Sequence, residues 1–301
     1  MPNIALPKTL HEKYLWRKIV ERDPRYVCFS DKLLCKKYMA GHFPEVKCAS
    51  VLWRGHDIRH APQDLLVKPG YLKANHASGY NHRLGICEPN LGELHQTTQS
   101  WLRRKWHRIH GEWGYQDVRP ELFIEEDVGR QADRHQLIDL TVYVFDGYIS
   151  HIAAMSDHKT DEARFGRFDV SGHRLKLGEY PTARMERLAR GPNTGAPNEL
   201  PDDFSLPDGL DQVLQIARRI AKGFDHLRVD FMCAGEAFWF SEITIYSQGG
   251  FLLYSDQDLL QRMADAWDLR LSWLLTYPQK GWRKYYASWL RKKLDFGQCK
   301  I

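Results

Sequence analysis

Arg228, Asp230 and Glu242 lie in a stretch, residues 226 to 250 (HLRVDFMCAGEAFWFSEITIYSQGG), that alternates polar and apolar positions on both sides of Gly235. Such period-two alternation around a turn residue predicts a β-hairpin. With Gly235, Glu236 and Ala237 as the loop, Asp230 lies directly opposite Glu242 and Arg228 opposite Thr244, all on one face. Directly opposed side chains have Cβ atoms about 4.5 to 5.5 Å apart, and like charges there destabilise the pair. Two facing carboxylates flanked by Val229, Phe231, Phe240 and Ile243 suit a divalent cation. Mg2+ takes hard oxygen ligands and is held by one or two carboxylates together with substrate phosphates. Arg228, on the same face, would meet the remaining phosphate charge. The alternative is a half-exposed hairpin whose acids face water.

A second chemical candidate is LLVKPGYLKANHASGYNHRLGI, residues 65 to 86. Lys73 ends a predicted strand, and the small and polar residues Ala74 to Gly79 follow. A small-residue turn offers backbone N–H groups to an anion, and a lysine just before it adds a mobile point charge. The stretch has neither GxxxxGK[ST] nor GxGxxG spacing, and its alternative is an ordinary hairpin turn. Lys32 and Lys36, four residues apart, share a helical face, and taken alone they read as a solvated basic helix. His56 and His60 in HDIRH lack a third ligand and read as incidental.

These residues need elements to position them. Residues 9 to 21 predict a helix broken by Asp23-Pro24; a second helix capped by Ser30 ends at Gly41; a short strand follows at CASVLWRG. Residues 96 to 113 predict one amphipathic helix with Leu102, Trp106, Ile109 and Trp113 as its stripe. Strands follow at 121 to 128 and at 138 to 155, the latter turning at Asp146-Gly147. Residues 156 to 176 are charged and irregular, and residues 190 to 209 form a Pro- and Gly-rich linker. Asp208 then caps a helix through Lys222 that Gly223 closes.

Composition sets the outer bounds. The chain has 301 residues, 43% hydrophobic and 12% aromatic, which describes a folded protein and excludes disorder. It holds no apolar run near the roughly 20 residues of a membrane span and no signal-peptide pattern. The cysteines Cys28, Cys35, Cys48, Cys87, Cys233 and Cys299 form no CxxC pair, so reduced thiols and a cytoplasmic setting are expected. Residues 280 to 301 carry seven basic residues against Asp295 alone, a net of +6 in a chain whose total is +5. There Trp282, Tyr285, Tyr286 and Trp289 have one-face helical spacing. Such a helix either docks on the core or lies on an anionic membrane surface.

The succession SDKLLCK (30 to 36), LKANHASGYN (72 to 81), FIEEDV (123 to 128), DLTVYVFDG (139 to 147) and RVDF to SEIT (228 to 244) resembles the ATP-grasp superfamily, in the order found in D-alanine:D-alanine ligases. RDPRY (22 to 26), Asp31-Lys32 and Asn75 to Asn81 are similar to the teichuronopeptide-biosynthesis (TupA-like) group. The resemblance covers roughly residues 10 to 255. It implies an α+β fold in which two lobes clamp ATP between antiparallel sheets. Residues 1-64 would form a helical N-terminal region, 65-128 the first lobe, 129-255 the second, and 256-301 a basic aromatic tail.

The resemblance also implies roles. Lys36 and Lys73 would touch ATP phosphates beneath the loop of Asn75, His76, Ser78 and Gly79. Glu125 to Val128 would form the adenine hinge through backbone groups of Glu126 and Val128, and Asp139 would hold the ribose. Asp230, Glu242 and Thr244 would hold Mg2+, with Mn2+ as a substitute, and Arg228 would stabilise the transferred phosphoryl group. Thr244 stands where the ligases have asparagine, which implies a looser second metal. His158, with Lys159, Arg164 and Arg167 as substitutes, stands where the group carries an arginine.

The implied reaction is an ADP-forming carboxylate-amine ligation through an acylphosphate, which needs positioning and charge neutralisation and no nucleophilic side chain. It would join an amino acid to a uronic acid of a cell-surface polysaccharide or its precursor, in the cytoplasm or at the inner face of the membrane. A kinase acting on a sugar hydroxyl is a second class. A nucleotide- or nucleic-acid-binding module is a third, and the confinement of basic charge to the tail speaks against nucleic acid.

Overall fold

A computed structural model describes residues 1–130, 137–157, 162–176, 198–252 and 254–296. Thr9 opens helix α1 (Leu10–Ile19) with a capping box, its hydroxyl accepting from the Glu12 N–H while the Glu12 carboxylate accepts from the Thr9 N–H. Pro24 starts the short α2 (Arg25–Ser30). The next helix, α3 (Lys32–His42), is capped by Asp31 and not by Ser30. Asp31 accepts from the N–H groups of Leu33 and Leu34, and a carboxylate also complements the positive end of the helix. Gly41 lies inside α3, where nothing crowds it.

Strands β1 (Val51–Gly55), β2 (Gly70–Ala74), β3 (Asn81–Leu84) and β4 (Leu122–Glu126) make an antiparallel sheet in the order β1-β4-β2-β3. Helices α4 (Gln63–Val67) and α5 (Leu91–Arg103) cover one face, burying Leu66, Leu72, Leu94 and Ile124. The single helix expected over residues 96 to 113 is two. α5 begins earlier, capped by Asn90, and stops at Arg104, whose backbone is extended; α6 (Trp106–His110) then starts afresh. Tertiary partners decide the break. Trp101 stacks on Tyr80, Trp106 meets Tyr80 edge-on, and Trp113 turns away to Tyr26. No single helix face offers all three contacts.

The second sheet joins β5 (Ile138–Phe145), β6 (Tyr148–Ser156), β7 (Arg164–Phe168), β8 (Asn198–Glu199), β9 (Leu227–Ala234) and β10 (Ala237–Thr244) in the order β10-β9-β5-β6-β7-β8. Only the β7–β8 pair is parallel. The β5–β6 turn uses Asp146 and Gly147 with φ of 43° and 92°, the left-handed pair that a tight hairpin needs. One face buries Leu140, Val142, Val229 and Phe231 against α7 (Leu210–Ala221). Gly209, and not Asp208, stands at the N-cap of α7; a Cβ there would come within 2.8 Å of the Glu236 carbonyl. Helices α8 (Gln257–Ala266), α9 (Trp273–Thr276) and α10 (Trp282–Phe296) pack with α1 in a second core around Trp16, Trp267 and Leu290.

The aromatic residues of α10 do not act as one face. Tyr286 turns inward, its hydroxyl accepting from the Trp16 indole at 2.8 Å, and Ala287 and Leu290 are buried beside it. Trp282, Tyr285 and Trp289 stay exposed. Cys28, Cys35, Cys48, Cys87 and Cys233 are free thiols; Cys299 and Lys300 lie outside the described residues. No helix among the described residues is long and apolar enough to cross a membrane.

α1, the start of β9 and the C-terminal helices meet at one buried ion pair. Arg17, fully buried, donates to Asp225 at 2.6 Å and to the carbonyls of Ile245 and His226, and lies over the Trp267 ring at 4.2 Å. Asp225 also accepts from the Trp267 indole and the His226 N–H. The RDPRY stretch serves the same junction, since the Tyr26 hydroxyl reaches Asp225 and Arg25 covers the Phe224 ring. Arg17→Met leaves Asp225 charged, buried and unpaired, and is expected to cost about 3 to 5 kcal/mol in urea denaturation; a change below about 1 kcal/mol would show that the pair is dispensable.

Candidate active site

The opposed pairs expected in the hairpin exist, by a different route. Asp230 pairs with Glu242 and Arg228 with Thr244, but the turn is the two residues Gly235 and Glu236, and the register shifts at Ser241. A bulge inserts one residue and reverses the alternation beyond it. Without it, the pattern that buries Phe240 against Phe231 would turn Glu242 into the core as well. The bulge therefore delivers the second acid to the face of Asp230.

That face is laid out in rows by the strand register. Trp239, Met232, Asp139 and Met155 form one row; Glu242, Asp230, Thr141 and Ala153 the next; Thr244, Arg228, Tyr143 and His151 the third. Successive rows are two residues apart along a strand, about 6.6 Å. Arg167 extends the middle row through its pairing with Ala153 and is buried over the Tyr254 ring. Arg164 is exposed at the start of β7, and His158 and Lys159 lie outside the described residues.

Arg228 answers both acids, bonding Asp230 through Nε at 2.9 Å and Nη2 at 2.5 Å and Glu242 at 3.2 Å. One guanidinium faces two carboxylates, and the two acids shift in opposite directions. Burial, with the Glu242 charge adding to it against Arg228, pushes Asp230 up to about 6. Burial would raise Glu242 too, but Lys32 and Arg228 hold it below its ordinary value. The Thr244 hydroxyl donates to Glu242 at 3.3 Å. No group of three or more His, Cys, Asp or Glu side chains gathers among the described residues, His56 and His60 included. The donor set of two carboxylates and a hydroxyl, short of one positive charge, fits a hard divalent cation whose remaining ligands are phosphate oxygens and water.

Across from this face, the β1-β4-β2-β3 sheet presents its lysines. Lys73 on β2 and Lys36 on α3 both reach Glu125 on β4; Lys73 bonds Oε1 and Lys36 sits 3.2 Å from Oε2. Burial disfavours all three charges, but their attraction wins: Glu125 lies below and Lys73 above its ordinary value. Glu125, expected within the adenine hinge, is thus the internal counter-ion of both lysines. Lys32, which the Asp31-Lys32 dipeptide flagged without assigning it a site role, bonds the Ala77 carbonyl and lines the same cleft as Arg228 and Glu242.

The 75 to 81 loop is held by its first two residues. Asn75 accepts from the Glu121 N–H and donates to the Arg119 carbonyl, and His76 bonds the Trp101 carbonyl at 3.1 Å. Both side chains are buried, so the part open to solvent is Ser78 and Gly79, whose φ is 75°. At the other end of the site, Glu126 is tied to Ser50 through its N–H and carboxylate. Val128 packs with Ala49 and Trp239, against Met232 and Ala234, in a small buried apolar cluster between segments flanking β1 and β4 and the β9–β10 hairpin. Asp139 stands in the row of Met232 and Trp239.

The TupA-like ATPgrasp family matches residues 12–266, and the chain belongs to that family. The fold is accordingly the ATP-grasp fold. Among solved structures the chain is similar to a D-alanine–D-alanine ligase from Bacillus anthracis, 15% identical over 89% of this chain and 70% of that one, with a TM-score of 0.43. It is also similar to ATP-grasp ligase PsnB complexed with minimal precursor, Mg and ADP (12% identical, 87% and 67% covered, TM-score 0.44) and to D-cycloserine synthetase DcsG (17%, 82% and 71%, 0.42). The chain spans 59% to 71% of the length of such structures. Likeness at that level carries no weight for function. No curated protein matches the chain.

Glu125→Gln removes the counter-ion and leaves two half-buried ammonium groups together. Thermal unfolding is expected to show a loss of about 3 kcal/mol, partly restored by inorganic tripolyphosphate; an unchanged melting temperature without the anion would contradict the counter-ion role.

Proposed function

We propose that the chain is an ADP-forming carboxylate-amine ligase that works on ATP. The observation that carries this reading is the row of Asp230 and Glu242 beside Arg228, with Lys32 lining the same cleft as Glu242 and Arg228, Lys73 close enough to act on the Glu242 charge, and Lys36 beside Lys73 on Glu125. Asp230 and Glu242, with Thr244 alongside, would hold magnesium or, in its place, manganese. When bound, the ion neutralises phosphate charge. Lys36 and Lys73 exchange Glu125 for ATP phosphate oxygens, and Arg228 turns from Asp230 to the transferred phosphoryl group. The apolar cluster of Ala49, Val128 and Trp239 would back a flat apolar base held by the backbone of Glu126 and Val128, with Asp139 in the row for a ribose.

A substrate carboxylate attacks the γ-phosphorus, giving an acylphosphate and ADP, and an amine then displaces phosphate to form an amide. No step needs a nucleophilic side chain; the residues position groups and neutralise charge. The loop of Asn75, His76, Ser78 and Gly79 covers the phosphates and excludes water from the acylphosphate. The resemblance to the teichuronopeptide group supports a uronic acid of a surface polysaccharide or its precursor as the carboxylate and an amino acid as the amine. Such a reaction draws on cytoplasmic ATP.

The acids and lysines yield the first test. Glu242→Gln and Lys73→Ala are expected to lower Mg-dependent ATP binding at least about 100-fold in calorimetry. ADP release should require a uronic acid and an amino acid. Undiminished binding in both variants would sink the site, and a phosphorylated sugar in place of an amide would make the protein a kinase.

The same reading extends to a membrane contact through α10. Its exposed Trp282, Tyr285 and Trp289 are flanked by Lys284, Arg291, Lys292 and Lys293, the composition of an interfacial helix on an anionic bilayer. Replacing the three aromatic residues with alanine is expected to abolish sedimentation with phosphatidylglycerol vesicles while the melting temperature holds. Equal sedimentation of variant and wild type would remove the contact.

A further inference from the structure

Beside Arg228, Glu242 and Lys32 the cleft, about 450 Å³, has a wall that phosphate chemistry does not use: His110, Glu112, Tyr115, Tyr246, Gln248 and Phe251. Glu112 is 7% exposed, and among the described residues no basic nitrogen lies within 4 Å of its carboxylate. Lys18, the nearest candidate, spends its ammonium on the carbonyls of His110 at 2.7 Å and Gly249 at 2.5 Å, which ties the two sides of the wall together. Burial lifts the Glu112 carboxyl to about 7, against the pull of Lys18 and the Trp106 indole. Gly249 lies against it: a Cβ there would stand in ordinary contact, 3.5 Å from Glu112 Oε1, and it is the φ of +61°, which side chains rarely adopt, that favours glycine. The Tyr246 hydroxyl, in the same wall, is buried with no hydrogen-bond partner.

A buried carboxylate without a cation and a buried hydroxyl without a partner both cost free energy unless a ligand completes them. A primary ammonium is the kind of donor that answers each of them, and Phe251 and Trp106 line the same cleft. We propose that Glu112 binds the ammonium of the amine substrate and accepts its proton, making this wall the amine subsite. The inference rests on the ligase reading. An amine is protonated at neutral pH and cannot attack until it releases a proton. One N–H proton passes to the Glu112 carboxylate, and the freed lone pair forms the C–N bond at the acylphosphate carbon. The C–O bond to phosphate breaks with its electron pair on the departing phosphate, which carries off the second proton. Glu112 then returns its proton to water at the open mouth.

Hydroxylamine separates this role from the rest, because it is largely neutral at pH 7 and traps acylphosphates without a base. The full chain is assayed with Mg-ATP, glucuronate or galacturonate, and either hydroxylamine or one of glycine, L-alanine and L-glutamate. Glu112→Gln is expected to lower amide formation about 100-fold or more while hydroxamate formation stays within about three-fold, and Glu112→Asp to recover part of the amide rate. A parallel fall with both nucleophiles, or no fall with either, would overturn the role of Glu112. Absence of hydroxamate from wild type would instead remove the ligase reading, and this inference with it.

Discussion

The buried pair of Arg17 and Asp225 is the constraint from which the active arrangement hangs. Asp225 stands two residues before β9, so its position sets where the strand of Arg228 and Asp230 begins. Arg17 fixes it from α1 and Trp267 from the C-terminal helices, while Tyr26 closes the junction from α2. Three sequence-distant segments thus agree on the placement of one hairpin. Removing either charge would leave the other in a medium that cannot solvate it, which is why the junction tolerates no slack.

Beyond that junction the site is organised by charges that are each given a temporary partner. Arg228 rests on the two acids, and Lys36 and Lys73 rest on Glu125. These contacts hold long side chains in position before any ligand arrives, so less conformational entropy is lost on binding. Each side keeps one opposing charge: the lysines of β2 and α3 hold Glu125 of β4, and the acids of β9 and β10 hold Arg228. On the proposed reading, a metal with a polyphosphate between them would complete both at once.

The sequence was most legible where a local rule sufficed. Alternation around Gly235 was enough to oppose Asp230 and Glu242, and Asp146-Gly147 marked its hairpin, because turn and strand preferences act over a few residues. The bulge at Ser241 was invisible, and the register came out right because a turn shorter by one residue and a bulge longer by one cancel. The first helix was readable, though its sequence span took in the cap residue Thr9, and Ser30 lost to its neighbour Asp31, since both are good caps and geometry decides between them. The break between α5 and α6 has no glycine or proline to announce it; the stacking of Trp101 on Tyr80 sets it from a distance. Glu125 read as part of a hinge because its two lysines are 89 and 52 residues away in the chain. Glu112 gave no signal at all: a buried, uncompensated carboxylate is a property of the folded wall around it.

The counter-ion arrangement at Glu125 has a consequence for discrimination. A ligand gains from Lys36 and Lys73 only the difference between its own attraction and that of the carboxylate it replaces. A single small anion that engages one lysine leaves Glu125 half-satisfied and gains almost nothing. A chain of linked phosphates that reaches both lysines and a cation on the opposite sheet recovers the whole exchange. On the proposed reading the pocket would therefore act as a threshold device, indifferent to the abundant inorganic phosphate and sulfate of a cell and responsive to charge that arrives already joined together.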